Sequence, residues 1–578
     1  MNRRDALVAT LLATGLVVLL VPLARLGVDF HHDGIMLKPA LDVLSGQVLF
    51  RDTFMQYGAL TCYLQVVALW LHPSLLSVKL MTVAAYGVTM FFLYASWRLI
   101  LPRSLAILAC GLFFLFLPSY EQDWFGHYLI FLPWSSVFAL MFQSVGLYAL
   151  FRIIRGEQSE QWGLILGIVC ACVFWCRQPV GLIMIGCVAV IWVALHWTNW
   201  GSGNYSKRAI FGRISGGFVA VNGIMLGGIL LSGGLADWWY QNFVWPRKCA
   251  EDMYDNWSHF LDPHIHPVAG AGLLALLLAV FLPALVKKFR PTLLSRTITL
   301  YFLFLGGLLV WQHELVLNLL SLRQGGWASL LPLAILLQAI HSITQAVVDR
   351  ESPKPTEYYL IAALSALSLG SALQYYPVPD PRHVSWSLAP SFGLLVFVFW
   401  RWSGWQPSIL ITVSVVLFLP ALWVKAQLIA QALEQPTETL VRPAILRGMK
   451  LPPQQARVVG QITDILERIS QYRPDMPSAL IGNDAMILCL TTNHTNPSPY
   501  FVTWQKLADK EEDRKRWRFI SSVRPMLFVN KIDRKLVDDY YRGMHYVPLL
   551  SLPEEELEIA VPDELAKIMN QTDSRAIP

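Results

Sequence analysis

Apolar runs long enough to cross a bilayer recur along most of the chain, separated by short polar breaks. They predict spans near 6–27, 78–101, 104–119, 128–151, 162–177, 180–197, 214–232, 267–286, 297–313, 327–346, 357–374, 388–401 and 408–424, about thirteen helices in all. The two spans at 162–197 are divided by Arg177-Gln178-Pro179. Between the first and second runs lies Val28 to Leu60, VDFHHDGIMLKPALDVLSGQVLFRDTFMQYGAL. There Ile35, Met36, Leu37, Ala40, Leu41 and Leu44 follow helical spacing, which predicts a helix in the loop, and Gly46 ends it. From about Lys425 the pattern changes. Val458 to Tyr472 is amphipathic, Ser478 to Gly482 and Arg524 to Asn530 read as short strands, and Lys506 to Arg518 is highly charged. The expected organisation is a membrane domain over 1–424 and a small α/β domain over 425–578.

Composition agrees with this pattern. The chain has 578 residues, 55% hydrophobic and only 15% charged, with a mean hydropathy of +0.47, whereas soluble domains are about one quarter charged. The net charge of +6 is therefore no nucleic-acid footprint. Its basic residues sit at helix ends and read as orientation signals. Arg3 and Arg4, Arg98 and Arg103, Arg152 and Arg155, Lys207 to Arg213, Lys287 to Arg296, Arg350 and Lys354, and Arg401 mark one side, expected to be cytoplasmic. The other side is richer in acids, His, Trp and Pro. The apolar run after Arg3-Arg4 is long for a signal-peptide core and no small-x-small site follows, so it reads as an uncleaved first helix. Most of the eight cysteines fall in apolar runs and behave as small hydrophobes.

The candidate chemistry lies in the outward segments. Asp33 stands where the first helix should end, beside His31 and His32, and Arg51-Asp52 closes the same loop. Ionisable groups at a helix mouth suggest a site, although Asp33 would also serve as a helix cap. Glu121 and Asp123, with His127, open the next outward segment. They could hold a hard cation or simply favour a helix N-terminus. Arg177 with Gln178 lies at or near membrane depth, where an Arg is costly and suits bidentate phosphate contacts. Arg247-Lys248 follows an aromatic stretch, Trp238 to Trp245, suited to the interface, and would otherwise meet lipid headgroups. Arg323, in LSLRQGGW, and Arg382-His383, after a Pro-rich turn, are further phosphate candidates.

An acid directly after helix one, an amphipathic loop helix, then Gly and Arg-Asp resembles the first external loop of the GT-C superfamily. These are integral-membrane glycosyltransferases that use polyprenyl-phosphate sugars, and the bacterial arabinosyl-, mannosyl- and aminoarabinose-transferase-like group is the nearest in pattern. The resemblance covers about three quarters of the chain and leaves the tail after Lys425 unmatched. It implies that Asp33 is the catalytic base, and that Glu121 and Asp123 bind the acceptor or a divalent cation. It implies that Arg177-Gln178 and Arg382-His383 meet the donor. No other cofactor is implied. The implied activity is inverting transfer of a sugar from a polyprenyl-phosphate donor to an envelope glycan or glycolipid outside a bacterial inner membrane. A polysaccharide ligase or polymerase of related architecture would carry its weight in one large late loop instead. A lipid-linked-sugar transporter would place charges in mid-helix.

The basic-end alternation predicts a cytoplasmic N-terminus and an extracytoplasmic tail. A reporter fused after Trp423 should read as outside, and a cytoplasmic signal would overturn the helix count.

Overall fold

The computed structural model describes residues 1–55, 57–115, 117, 131–197, 206–247, 356–372, 386–403, 405–482, 484–491, 518, 520–530 and 544–575. The expected spans at 267–286, 297–313 and 327–346 lie outside these residues.

Nine helices follow in order: α1 (Arg3–Ala24), α2 (His32–Leu44), α3 (Ala59–Leu71), α4 (Leu75–Trp97), α5 (Arg103–Leu115), α6 (Ser135–Ile154), α7 (Ser159–Cys176), α8 (Gln178–Trp197) and α9 (Lys207–Leu231). Then come α10 (Leu235–Trp239), which runs into a π-helical turn at Tyr240–Val244, and α11 (Glu357–Ala372), α12 (Ser391–Ser403) and α13 (Pro407–Glu434). Among the described residues, α1, α4, α6, α7, α8 and α9 are long and apolar enough to cross a membrane. The chain is a multi-pass membrane protein.

Three elements differ from the sequence pattern. Helix α3 occupies a stretch that periodicity left unassigned, because its 13 apolar residues are too few for a span. Helix α6 begins at Ser135 rather than near 128, since Pro133 and Trp134 are extended. Helix α13 runs on to Glu434 without a break at 424. Lys425 explains the continuity: its ammonium is drawn inward to the carbonyls of Phe114, Leu115 and Leu117, at 2.7, 2.6 and 3.3 Å. It thereby satisfies orphan carbonyls at the end of α5. At Arg177, by contrast, two helices meet as the interrupted apolar run suggested, α7 ending at Cys176 and α8 starting at Gln178.

The basic helix ends gather together. Asp5 on α1 receives Arg98 at 3.2 Å and Arg103 at 2.8 Å, pinning α1 to the α4–α5 turn. Glu157 bridges Arg152 and Arg155 at 2.9 and 3.0 Å in the α6–α7 turn.

Beyond α13 a short ladder, β1 (Glu438–Thr439) with β2 (Lys450–Leu451), leads into α14 (Pro453–Tyr472). Strand β3 (Ser478–Ile481), helix α15 (Met486–Leu490), strands β4 (Met526–Asn530), β5 (Tyr546–Leu552) and β6 (Leu557–Pro562), and helix α16 (Asp563–Arg575) complete the tail. The sheet order is β3-β4-β6-β5, with β3 parallel to β4 and the other pairs antiparallel. Val459, Ile462, Leu466 and Ile469 form the buried stripe of α14.

The tail is tied to the first loop by backbone. Lys450 N–H donates to Arg25 at 2.7 Å, and Gly27 N–H donates back to Lys450 at 2.9 Å. Met486 N–H donates to the Phe30 carbonyl at 2.8 Å. Gly34 lets α15 lie directly on α2, for a Cβ there would stand 2.0 Å from the Met486 nitrogen. Gly34→Ala should therefore push α15 away and cost about 1–3 kcal/mol. Thermal unfolding and limited proteolysis of the tail would check this, and a variant as stable and protease-resistant as wild type would disprove the contact.

Candidate active site

The first loop folds around two carboxylates. Asp29 Oδ1 accepts the N–H groups of His31 and His32 at 2.9 and 2.7 Å, and its Oδ2 meets His32 Nδ1 at 2.8 Å. Asp29 thus opens α2, and Asp33 is not its cap. Asp33 instead reaches back, its Oδ2 accepting the Asp29 N–H at 3.0 Å. The same oxygen meets Lys79 Nζ, on α4, at 2.9 Å. Lys79 also donates to the Gly27 carbonyl at 3.1 Å. Asp33 and Lys79 are both 0% exposed. Asp33 Oδ1 is buried without a hydrogen-bond partner. Such an orphan acceptor costs about 1–3 kcal/mol and calls for a reason.

The two carboxylates are driven apart in acidity. Burial opposes ionisation of Asp29, but the His32 ring and N–H outweigh it and hold that carboxyl well below the usual carboxylate range. Burial also dominates at Asp33 and the nearby Asp29 charge adds to it, while Lys79 pulls the other way. The result is a rise from 3.8 to about 6. Pairs separated in this way divide into a permanent charge and a group that exchanges a proton near neutrality.

Three further elements converge on this loop. Gly58 lets the start of α3 touch the end of α7: its N–H donates to Cys176 at 3.1 Å, and a Cβ there would lie 1.9 Å from the Trp175 oxygen. Gln241, in the π-turn after α10, donates to the Phe50 carbonyl at 2.7 Å and accepts Met55 N–H at 2.9 Å. Its neighbour Asn242 accepts from Gln178. Arg177 donates to Ser136 on α6. Trp134, just before α6, lies 5.2 Å from the His32 ring and 5.5 Å from Tyr57, and it stacks on Trp386 at 6.0 Å. The Arg177-Gln178 turn and the His31-His32-Asp33 cluster therefore share one wall.

Other predicted residues fall elsewhere. Arg51 and Asp52 pair with each other at 2.9 Å, which lowers the Asp52 carboxyl, and Arg51 fastens the loop to the Ser232 carbonyl at 3.2 Å. Arg247 is exposed at the end of the π-turn segment. Glu121, Asp123, His127, Lys248, Arg323, Arg382 and His383 lie outside the described residues. Among the described residues no three His, Cys, Asp or Glu side chains group as a metal site.

Sequence reasoning missed Lys79 and Asp29. A lone Lys in an apolar run carries a signal, but at the edge of the span near 78–101 it reads as an ordinary flank. Asp29 was hidden by the adjacent HHD. Asp33, expected in an outward segment at the end of the first helix, is fully buried, and α15 of the tail meets the loop on either side of it, through Phe30 and Gly34. A second buried pair, Lys38 with Asp42, was also missed, and Thr53 donates to that Asp42 at 2.7 Å.

In comparisons with known proteins, no family model matches the chain and no curated protein matches its sequence. Among solved structures it is similar to ArnT from Cupriavidus metallidurans bound to undecaprenyl phosphate, with 12% identity and a TM-score of 0.44 over 96% of this chain and 97% of that one. It is also similar to the oligosaccharyltransferase of Archaeoglobus fulgidus in complex with Zn and sulfate, with 10% identity and a TM-score of 0.49 over 91% and 68%. The archaeal oligosaccharyltransferase AglB from Archaeoglobus fulgidus, with an inhibitory peptide and a dolichol-phosphate, gives 10% identity and 0.47 over 91% and 69%. At such identities and scores, the roles of residues are read from this chain alone.

Removing Lys79 should strand a buried charge. Lys79→Met is expected to cost about 3–5 kcal/mol at neutral pH. The Asp33 carboxyl is raised above 3.8 to about 6, so its proton-linked stability is complete below about 3.8 and fades as pH rises through about 6. Without Lys79 that window moves upward. The loss should therefore shrink at pH 5 and in the Lys79→Met/Asp33→Asn double variant. Thermal unfolding at pH 5 and pH 8 reads this out, and equal losses in the single and double variants would dissolve the pair.

Proposed function

We propose that this protein is an inverting glycosyltransferase that moves a sugar from a polyprenyl-phosphate donor to a hydroxyl of an envelope glycan or glycolipid. The observation that carries the reading is the divided carboxylate of Asp33. One oxygen is held by Lys79 and the Asp29 N–H, and the other is buried without a partner. A base needs one fixed oxygen to orient it and one free to take a proton. As the acceptor hydroxyl attacks the anomeric carbon, its proton passes to Asp33 Oδ1. The bond from that carbon to the phosphate oxygen breaks on the opposite face, and polyprenyl phosphate departs with the electron pair. Direct displacement inverts the centre, and a phosphate needs no acid to leave.

Asp33 is fully covered, so an acceptor reaches it only when a covering element yields. In this reading Arg177 and Gln178 meet the donor, and Arg247, Lys248, Arg323, Arg382 and His383 are further candidates for its phosphate. Glu121 and Asp123 are the candidates for the acceptor or a divalent cation. The reading includes about thirteen spans, a tail domain over 425–578 and a bacterial inner-membrane location with that tail outside. The ArnT and AglB structures hold undecaprenyl phosphate and dolichol-phosphate, lipids of the carrier class named here.

Asp33→Asn keeps one acceptor oxygen for Lys79 and the Asp29 N–H but leaves the buried Lys79 charge uncompensated. It should therefore cost stability as Lys79→Met does, and turnover is compared at a temperature where both proteins stay folded. Transfer from a synthetic lipid-phosphate sugar should fall about a hundredfold to ten-thousandfold. In wild type kcat/KM should drop below pH about 6 rather than about 4, because the base must be ionised. Near-normal turnover by a folded Asp33→Asn protein would sink the assignment and move the base to Glu121 or Asp123.

A further inference from the structure

The N-terminus of α6 is built unlike an ordinary helix start. Trp134 stands at the cap, and no side chain accepts the first N–H groups. Ser, Thr, Asn or Asp normally fills this place, because the first turn presents N–H groups without helical partners and carries partial positive charge. The two residues that follow, Ser135 and Ser136, are both 0% exposed. Ser136 receives the Arg177 guanidinium. The Ser135 hydroxyl has no hydrogen-bond partner, and neither does the Trp134 indole N–H, although both are buried. Two unsatisfied donors and a serine that receives a guanidinium thus stand on three successive residues at an uncapped helix start. Each is stabilised by the same kind of guest, an oxyanion with several oxygens.

We propose that the start of α6 binds the phosphate of the lipid donor, with the Ser135 hydroxyl, the Trp134 indole N–H, the first-turn N–H groups and Arg177 as its donors. This rests on the glycosyltransferase reading, which calls for such a phosphate. α6 is a candidate membrane span, so its end lies where a lipid phosphate travels. Trp134 also packs on His32, next in sequence to Asp33, which brings the proposed phosphate site and the base to neighbouring parts of the loop. Ser135 and Trp134 are then substrate-binding residues, and Arg177 acts with them rather than alone.

An unsatisfied buried hydroxyl makes an unusual test possible. Ser135→Ala removes an uncompensated polar atom, so the free protein should keep or slightly raise its Tm. Loss of one hydrogen bond to a charged ligand should weaken binding about tenfold. The full chain in nanodiscs is titrated with undecaprenyl phosphate, with undecaprenol and with inorganic phosphate, read by tryptophan fluorescence and by the ligand-induced rise in Tm. Wild type should bind the lipid phosphate well above the alcohol and the free ion. Ser135→Ala should lose about tenfold of that preference, Arg177→Ala more, and Arg177→Lys an intermediate amount. Lipid-phosphate binding that Ser135→Ala leaves unchanged overturns the site while leaving the glycosyltransferase reading in place. Inorganic phosphate bound as tightly as the lipid overturns the lipid as its source. Wild type that binds neither phosphate overturns both the site and the reading it rests on.

Discussion

Lys79 and Asp33 form an ion pair with no exposure to solvent, and the loop between α1 and α3 is arranged around it. Two charges removed from water cost several kcal/mol each, and their attraction compensates only when geometry and further hydrogen bonds are good. Here Lys79 also holds the Gly27 carbonyl and Asp33 also holds the Asp29 N–H. The pair therefore fixes three things together: the end of α1, the start of α2 and the register of α4 against α1. What the pair leaves unsatisfied is equally specific, the single oxygen Oδ1.

Around that pair the loop is held by hydrogen-bonded clasps as well as by its buried apolar residues, Met36, Leu37 and Phe50 among them. β2 extends the end of α1, α15 seats on Gly34, α3 closes on the end of α7 through Gly58, and Gln241 clasps both ends of the segment from Phe50 to Met55. Backbone clasps allow little lateral play, which suits a site that must hold a carboxylate to within fractions of an ångström. They also couple the tail to the chemistry. α15 touches the loop on both sides of Asp33, so displacement of the tail alters the burial that raises its proton affinity.

Some of the buried polar atoms left without partners belong to this part of the molecule. Asp33 Oδ1, the Trp134 indole and the Ser135 hydroxyl are three of them, on residues next to the His32–Trp134 and Arg177–Ser136 contacts. At other helix ends Asp5 and Glu157 are each paired with two arginines.

Local pattern determined much of this. Apolar run length established a multi-pass helical chain, the alternation of basic ends gave its expected orientation, and Arg177 divided two helices where an unbroken run would have joined them. The amphipathic stretch after His32 marked the loop helix, and the HHD cluster drew attention to Asp33. Sequence could not show what Asp33 touches, because a side chain's partner across helices is set by packing and not by spacing along the chain. Lys79 looked like a flank, Asp29 like a neighbour, Ser135 and Ser136 like two small residues in a span, and the tail like a separate domain. Only the tertiary structure made the first two partners of one carboxylate, set the serines beside a guanidinium at an uncapped helix start, and laid α15 over the loop. Periodicity reports which face of an element avoids water. It does not report which charges, from distant elements, are buried together.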